Sequence, residues 1–222
     1  RRSLTLDASL ASSEFLSAVG RLHQLEELFF KSPGDDMSTM FTGSGVTSAL
    51  DDAAIAYLDT LTSLRELWIP GSSITADGLQ SLTKLPELTQ LHLPNCDNLV
   101  DGFGAFHSTK LKRLNVIDCD NLTSASIAEI ASLPLLQQLS ISTRPGLNLG
   151  LLQASDSLRR LLVIGDLNMT MIASLAKLKQ LNQLTLAGNR ELTTNELQSL
   201  RAALPNCDLR LRNDHEVRTD RR

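Results

Sequence analysis

Hydrophobic residues along the chain recur in one phrase, Leu-x-x-Leu-x-(Leu/Ile/Val/Phe), starting at Leu25, Leu64, Leu88, Leu111, Leu136, Leu158 and Leu181. Five of the six steps between these starts are 22 to 25 residues long. That is too long for a coiled-coil heptad and lies in the range of about 20 to 29 residues in which repeated units stack into a solenoid.

Numbered from the first leucine of each unit, positions 1, 4 and 6 are apolar, as in Leu88-Leu91-Leu93, Leu111-Leu114-Val116 and Leu136-Leu139-Ile141. Positions 4 and 6 alternate with 3, 5 and 7, the period of a strand with one buried face. Degenerate units bracket the array, as stacking requires where it stops. Residues 1–6 lack the first leucine, and residues 204–209 read as a unit in which Cys207 replaces the second. Nine strand stations result, a parallel sheet about 40 Å long at about 4.8 Å per strand.

The second half of most units has helical spacing. Phe15, Leu16 and Val19 make one face; Ile55, Tyr57, Leu58 and Leu61 make the next. Leu79, Leu82 and Leu85, then Ile127, Ile130 and Leu133, then Ile172, Leu175 and Leu178, and finally Leu197, Leu200 and Leu204 repeat the pattern. Ser12, Thr75, Ser124 and Thr194 stand where N-caps belong. Two units are weaker, around residues 101–106 and 149–155, and predict a single helical turn or an irregular crossing. Position 9 holds Ser9, Ser72, Cys96, Cys119 and Asn189, small polar groups suited to backbone satisfaction where the chain leaves the strand. Cys96 and Cys119 therefore read as structural filler stacked inside the coil.

One step departs from the rest. Leu25 and Leu64 are 39 residues apart, and the surplus falls at about residues 31–48, rich in Gly, Ser, Thr and Asp. Helical spacing resumes at Asp51, so the extra chain leaves from the end of a strand. The expected organisation is a repeat domain over 1–211 with this insertion, followed by a charged, loose tail at 212–222.

The phrase, extended to Leu-x-x-Leu-x-Leu-x-x-(Asn/Cys) with a leucine and a back-side helix after it, closely resembles the leucine-rich repeat superfamily. The run from Cys119 through Asn121, Leu122, Ile127 and Ile130 looks most like the cysteine-containing repeats of ubiquitin-ligase adaptors. The run from Ile74 to Leu82 looks like the short-helix repeats of bacterial proteins, host-directed effectors among them. The resemblance implies a right-handed α/β solenoid, a horseshoe with a parallel inner sheet and outer helices or helical turns. It implies binding rather than one particular activity, because the repeats serve adaptors, receptors, inhibitors and effectors alike.

On such a horseshoe, positions 3, 5 and 7 face out of the inner sheet. Position 5 reads Thr5, Phe29, Trp68, His92, Asn115, Ser140, Leu162, Thr185 and Asp208. Phe29, Trp68 and His92 thus stand side by side on the expected solvent face, in a chain with one tryptophan, and resemble an interface hot spot. Glu66, Gln90 and Arg113 border them at position 3, and Met40 and Phe41 of the insertion complete the candidate protein-binding set. Two arrangements are open for the insertion: the rim of a groove, or a cover over the aromatics. The inner face runs from acidic beside the aromatics to basic at Lys112, Arg113, Arg159 and Arg160, a polarity that favours a matching peptide or protein.

Composition narrows the function classes further. The net charge of -4 gives no general attraction to nucleic acid or anionic lipid. No apolar run is long enough to span a membrane. Three cysteines cannot all pair within one chain and match no zinc spacing, so reducing, cytoplasmic or nuclear conditions are expected over secretion. The four histidines have no evident acid or nucleophile partner, and no phosphate loop, metal motif or nucleophile elbow appears. The expectation is a non-catalytic module that uses no cofactor or metal and binds a protein or peptide on its concave face. The alternatives are the recognition part of a ligase adaptor or host-directed effector, and a structural subunit of a larger assembly.

Overall fold

A computed structural model of the chain describes residues 2–31, 48, 50–188 and 190–213. Nine strands form a single sheet in chain order, every neighbouring pair parallel. They are β1 (Ser3–Asp7), β2 (Glu27–Lys31), β3 (Glu66–Trp68), β4 (Gln90–His92) and β5 (Arg113–Val116). The array continues through β6 (Gln138–Thr143), β7 (Arg160–Gly165), β8 (Gln183–Gly188) and β9 (Asp208–Asn213). Most units cross back through a short helix: α1 (Ser13–Gly20), α2 (Asp52–Ala56), α3 (Ala76–Leu82), α4 (Ser124–Ala131), α5 (Met169–Leu175) and α6 (Thr194–Ala203). The two weak units cross in single 3-10 stretches, Phe103–Ser108 and Leu149–Ala154, as their poor periodicity predicts.

One rule holds the strands in register. The position-3 amide of each strand donates to the position-2 carbonyl of the unit before it: Glu27 to Arg2 at 3.0 Å, Gln90 to Arg65 at 3.0 Å, Arg160 to Gln137 at 2.9 Å. The rule holds across units of 22 to 39 residues, so equal positions of the phrase lie side by side whatever the length between them. Leu91, Leu114, Leu139 and Leu161 form the predicted continuous row, each 0 to 2 % exposed.

The last unit is a correction. Leu209 pairs with Leu184 and Leu211 with Leu186, so these two leucines hold positions 4 and 6. Cys207 does not replace a core leucine, Asp208 sits at position 3, and Arg210 takes position 5. Leu204 and Leu209 imitate the phrase by spacing alone, whereas Leu204 caps α6, its amide bonded to Leu200. Two N-caps also shift by one residue. Thr123 and Thr193, rather than Ser124 and Thr194, accept the first-turn amides three residues on and close capping boxes with Ser126 and Glu196. Tyr57 leaves its predicted face: Ile55, Leu58 and Leu61 are buried and Tyr57 is 41 % exposed, because α2 ends at Ala56 and Tyr57 is its C-cap.

Position 8 turns the chain off the sheet. Gly71, Asn95, Asp118 and Gly165 hold it in four units, all in the left-handed region, with φ of 60°, 58°, 55° and 113°. Those residue types tolerate that conformation at low cost. Behind the corner, Cys96 and Cys119 are buried. The Cys96 Sγ meets Ser72 Oγ at 3.1 Å, and the Cys119 thiol donates to the Leu93 carbonyl at 3.0 Å. Burial pushes the Cys119 thiol well above the ordinary range, and the neighbouring Cys96 adds to it. Its side chain packs inside the coil with its hydrogen bond made to the Leu93 carbonyl.

Candidate functional site

Three rows of side chains rise from the inner face of the sheet. The middle row, position 5, pairs Thr5, Phe29, Trp68 and His92 in register, and continues through Asn115, Ser140, Leu162, Thr185 and Arg210. Phe29, Trp68 and His92 are thus adjacent, as their spacing predicts.

Trp68 is nevertheless only 1 % exposed, so the tryptophan is not an open anchor. Strands about 4.8 Å apart bring side chains at the same register position within stacking distance. The Trp68 indole stacks on the His92 imidazole at 4.3 Å between centroids. Phe29 stands half-buried on its other side. The His92 Nε2 lies 3.4 Å from Glu66 Oε1, so the aromatic row is tied to the row beside it.

Further along, the middle of the inner face stays packed. Asn115 and Ser140 are each 3 % exposed, and the Asn115 Oδ1 accepts the Ile117 amide at 3.1 Å. Ile117, Ile164 and Ala187 at position 7 join Leu162 in an apolar cluster of their own, separate from the main core.

The position-3 row is different. Glu27, Arg113 and Arg160 are exposed, and Glu66, Gln90, Gln138 and Gln183 are half-buried. Arg113 Nη1 donates to Gln90 Oε1 across one strand spacing at 2.9 Å. Among the described residues neither Arg113 nor Arg160 forms a salt bridge. Of the predicted site, Arg113 is exposed, Phe29, Glu66, Gln90 and His92 are half-buried, and Trp68 is buried. Met40 and Phe41, and with them the two arrangements of the insertion, lie outside the described residues.

Of the other histidines, His23 Nδ1 contacts the Thr60 carbonyl at 3.0 Å and His107 is exposed on a 3-10 crossing. Among the described residues no three His, Cys, Asp or Glu side chains are grouped to hold a metal ion. No described helix is long and apolar enough to cross a membrane. Two features escaped the sequence reading: the left-handed corner at position 8, signalled by Gly, Asn or Asp there, and the place of Asp208, which ends the position-3 row on a negative charge.

No family model matches the sequence, and no curated protein matches it. Solved structures do. The chain is similar to the one in the TLR13–ssRNA13 complex over 96 % of its length, at 19 % identity and a TM-score of 0.57. It is similar to a chain of the Drosophila Toll–Spatzle complex over 85 %, at 16 % identity and 0.54. This is a leucine-rich repeat fold. Internalin C2 of Listeria monocytogenes also matches, over 77 % of this chain and 71 % of its own, at 23 % identity and a TM-score of 0.46. The leucine-rich repeats here span 33 % of the TLR13 chain and 23 % of the Toll-complex chain.

Proposed function

We propose that the chain is a non-catalytic leucine-rich repeat module that binds a protein or peptide along the position-3 edge of its inner sheet. The observation that carries the reading is the charge-graded row from exposed Glu27 and half-buried Glu66 to exposed Arg113 and Arg160. Side chains fixed to one continuous sheet hold their spacing, so a partner meets them without ordering the site first. The Toll structure carries the same fold in a complex with Spatzle, which supports a protein-binding use of this architecture. Phe29, Trp68 and His92 belong to the site as its packed support, with Glu66 joined to both rows through His92. Met40 and Phe41 remain part of the proposed binding set.

The three free cysteines support a reducing, cytoplasmic or nuclear setting. Work as the recognition part of a ligase adaptor or host-directed effector is the finer form of the same proposal. A second reading, a subunit of a larger assembly, draws on Leu211, a core-position leucine of the terminal strand that is 48 % exposed.

The test is affinity capture with the wild-type chain, an Arg113→Glu/Arg160→Glu variant and a control carrying charge reversals on the outer helices. Loss of one defined partner from the inner-face variant alone supports the reading. An unchanged partner set in both variants overturns it.

A further inference from the structure

From β3 to β9 the position-3 row reads Glu66, Gln90, Arg113, Gln138, Arg160, Gln183, Asp208, in register on seven consecutive strands. Charge alternates strictly with amide, and the charges are ordered negative, positive, positive, negative. Successive charged rungs are two strand spacings apart, about 9.6 Å.

That interval selects a backbone. A polyproline II helix rises about 3.1 Å per residue with three residues per turn, so every third side chain returns to one face after about 9.3 Å. A β-strand returns a side chain to the same face after about 6.7 Å, and an α-helix advances about 5.4 Å per turn. Over the whole row, six spacings cover about 29 Å, against about 28 Å for nine residues of polyproline II. The mismatch is about 1 Å, within the reach of arginine and glutamate side chains.

The amide rungs fit the same ligand. A polyproline II backbone makes no internal hydrogen bonds, so its carbonyls project unsatisfied between the side chains. Gln90, Gln138 and Gln183, half-buried, stand at the intermediate heights, and each carries an amide NH2 that can donate to such a carbonyl; the Gln90 Oε1 already accepts from Arg113. Arg113 and Arg160 offer planar guanidinium forks to carboxylates. Arg113 is already steadied by Gln90, and Asp208 by Arg210 Nε at 2.7 Å.

We propose that this row is a docking rail for an extended polyproline II segment of a partner protein, with acidic residues three apart at its centre and a basic residue three further on at each end. The pattern is basic-x-x-acidic-x-x-acidic-x-x-basic. The inference rests on the binding reading above and names the chemical class of its partner.

The probes are capped ten-residue peptides, labelled for fluorescence anisotropy in about 150 mM salt. One is Lys-Pro-Pro-Glu-Pro-Pro-Glu-Pro-Pro-Lys. A second has the same composition with its four charges on alternate residues. A third has glutamine for both glutamates, and a single-stranded RNA of ten nucleotides represents phosphate anions. The first peptide is expected to bind at least tenfold tighter than the second and third. Arg113→Gln/Arg160→Gln, checked for folding by circular dichroism, is expected to erase that preference. Equal binding of the first two peptides, no binding of either, or tighter binding of RNA overturns the proposal. If partner capture still depends on Arg113 and Arg160 in any of those cases, the binding module stands and only the polyproline II ligand fails. If capture ignores them too, both fall.

Discussion

Trp68 and His92, on adjacent strands at the same register position, stack with 4.3 Å between ring centroids and 20° between ring planes. Alternation assigns Trp68 to the face turned away from the main core, yet the residue is packed there, 1 % exposed. Its removal should therefore be read in stability before it is read in binding. Trp68→Ala is expected to cost about 3 to 5 kcal/mol, the range for a buried large aromatic. Trp68→Phe should cost less, because a stacked ring adds only about 0.5 to 1.5 kcal/mol beyond the area it buries. Urea unfolding of both variants checks this. A loss under about 0.5 kcal/mol for Trp68→Ala would show that the indole faces open solvent.

Leu114 lies at the middle of the inner-strand core row, between Leu91 and Leu139. A solenoid's stability is a sum of unit terms and nearest-neighbour interface terms, so a central cavity weakens two interfaces together. Leu114→Ala is expected to lower equilibrium stability by about 2 to 5 kcal/mol. Leu4→Ala, in the half-buried first strand, should cost clearly less. Equal losses at the two sites would show that the rows do not stack as described.

Gly78 stands inside α3, where helix propensity alone favours alanine by about 1 kcal/mol. A Cβ there would lie 2.4 Å from Ile74 Cγ1 and 2.3 Å from Asp52 Oδ1. Asp52 has little freedom to move away. Its carboxylate accepts the Thr75 amide at 2.8 Å and the Thr75 hydroxyl at 2.6 Å, which ties α2 to the start of α3. Overpacking of this kind costs about 1 to 3 kcal/mol and outweighs the propensity gain. Gly78→Ala should lower the thermal midpoint. A rise would mean that the α2–α3 contact relaxes freely.

The strands were legible because the phrase carries both spacing and facing. Positions 1, 4 and 6 name the buried side chains, and the place of each residue in the phrase, not the length between phrases, gives the register. The reading failed at the last unit because Leu204 and Leu209 preserve the spacing while belonging to different elements. Its true marker is the Leu209-Arg210-Leu211 alternation. Thr123 and Thr193 were missed as caps because each is adjacent to a second hydroxyl residue, and only the partner three residues on distinguishes the two. The site was half legible. Alternation told which face Trp68 takes but not what surrounds it there. The charge order along position 3 was visible residue by residue, yet its meaning depends on the register of the strands.

Glu196 supplies a pH test. Its carboxylate receives Arg190 Nη2 at 2.7 Å and Nη1 at 3.0 Å, and the Thr193 amide at 2.8 Å, closing the start of α6. The Arg190 hydrogen bonds first, then that from the Thr193 amide, hold its pKa down to about 2, whereas an unfolded glutamate titrates near about 4.3. A folded-state pKa below the unfolded one means stability that is fully present above about pH 5 and is lost as pH falls toward 2. Glu196→Gln keeps the shape of the side chain and removes the charge. The variant should melt below the wild type at pH 7, by less at pH 4, and with it near pH 2. Melting curves of the pair at those three pH values decide the matter. A constant gap would assign the effect of the substitution to packing at the α6 N-terminus, not to the Arg190 ion pair.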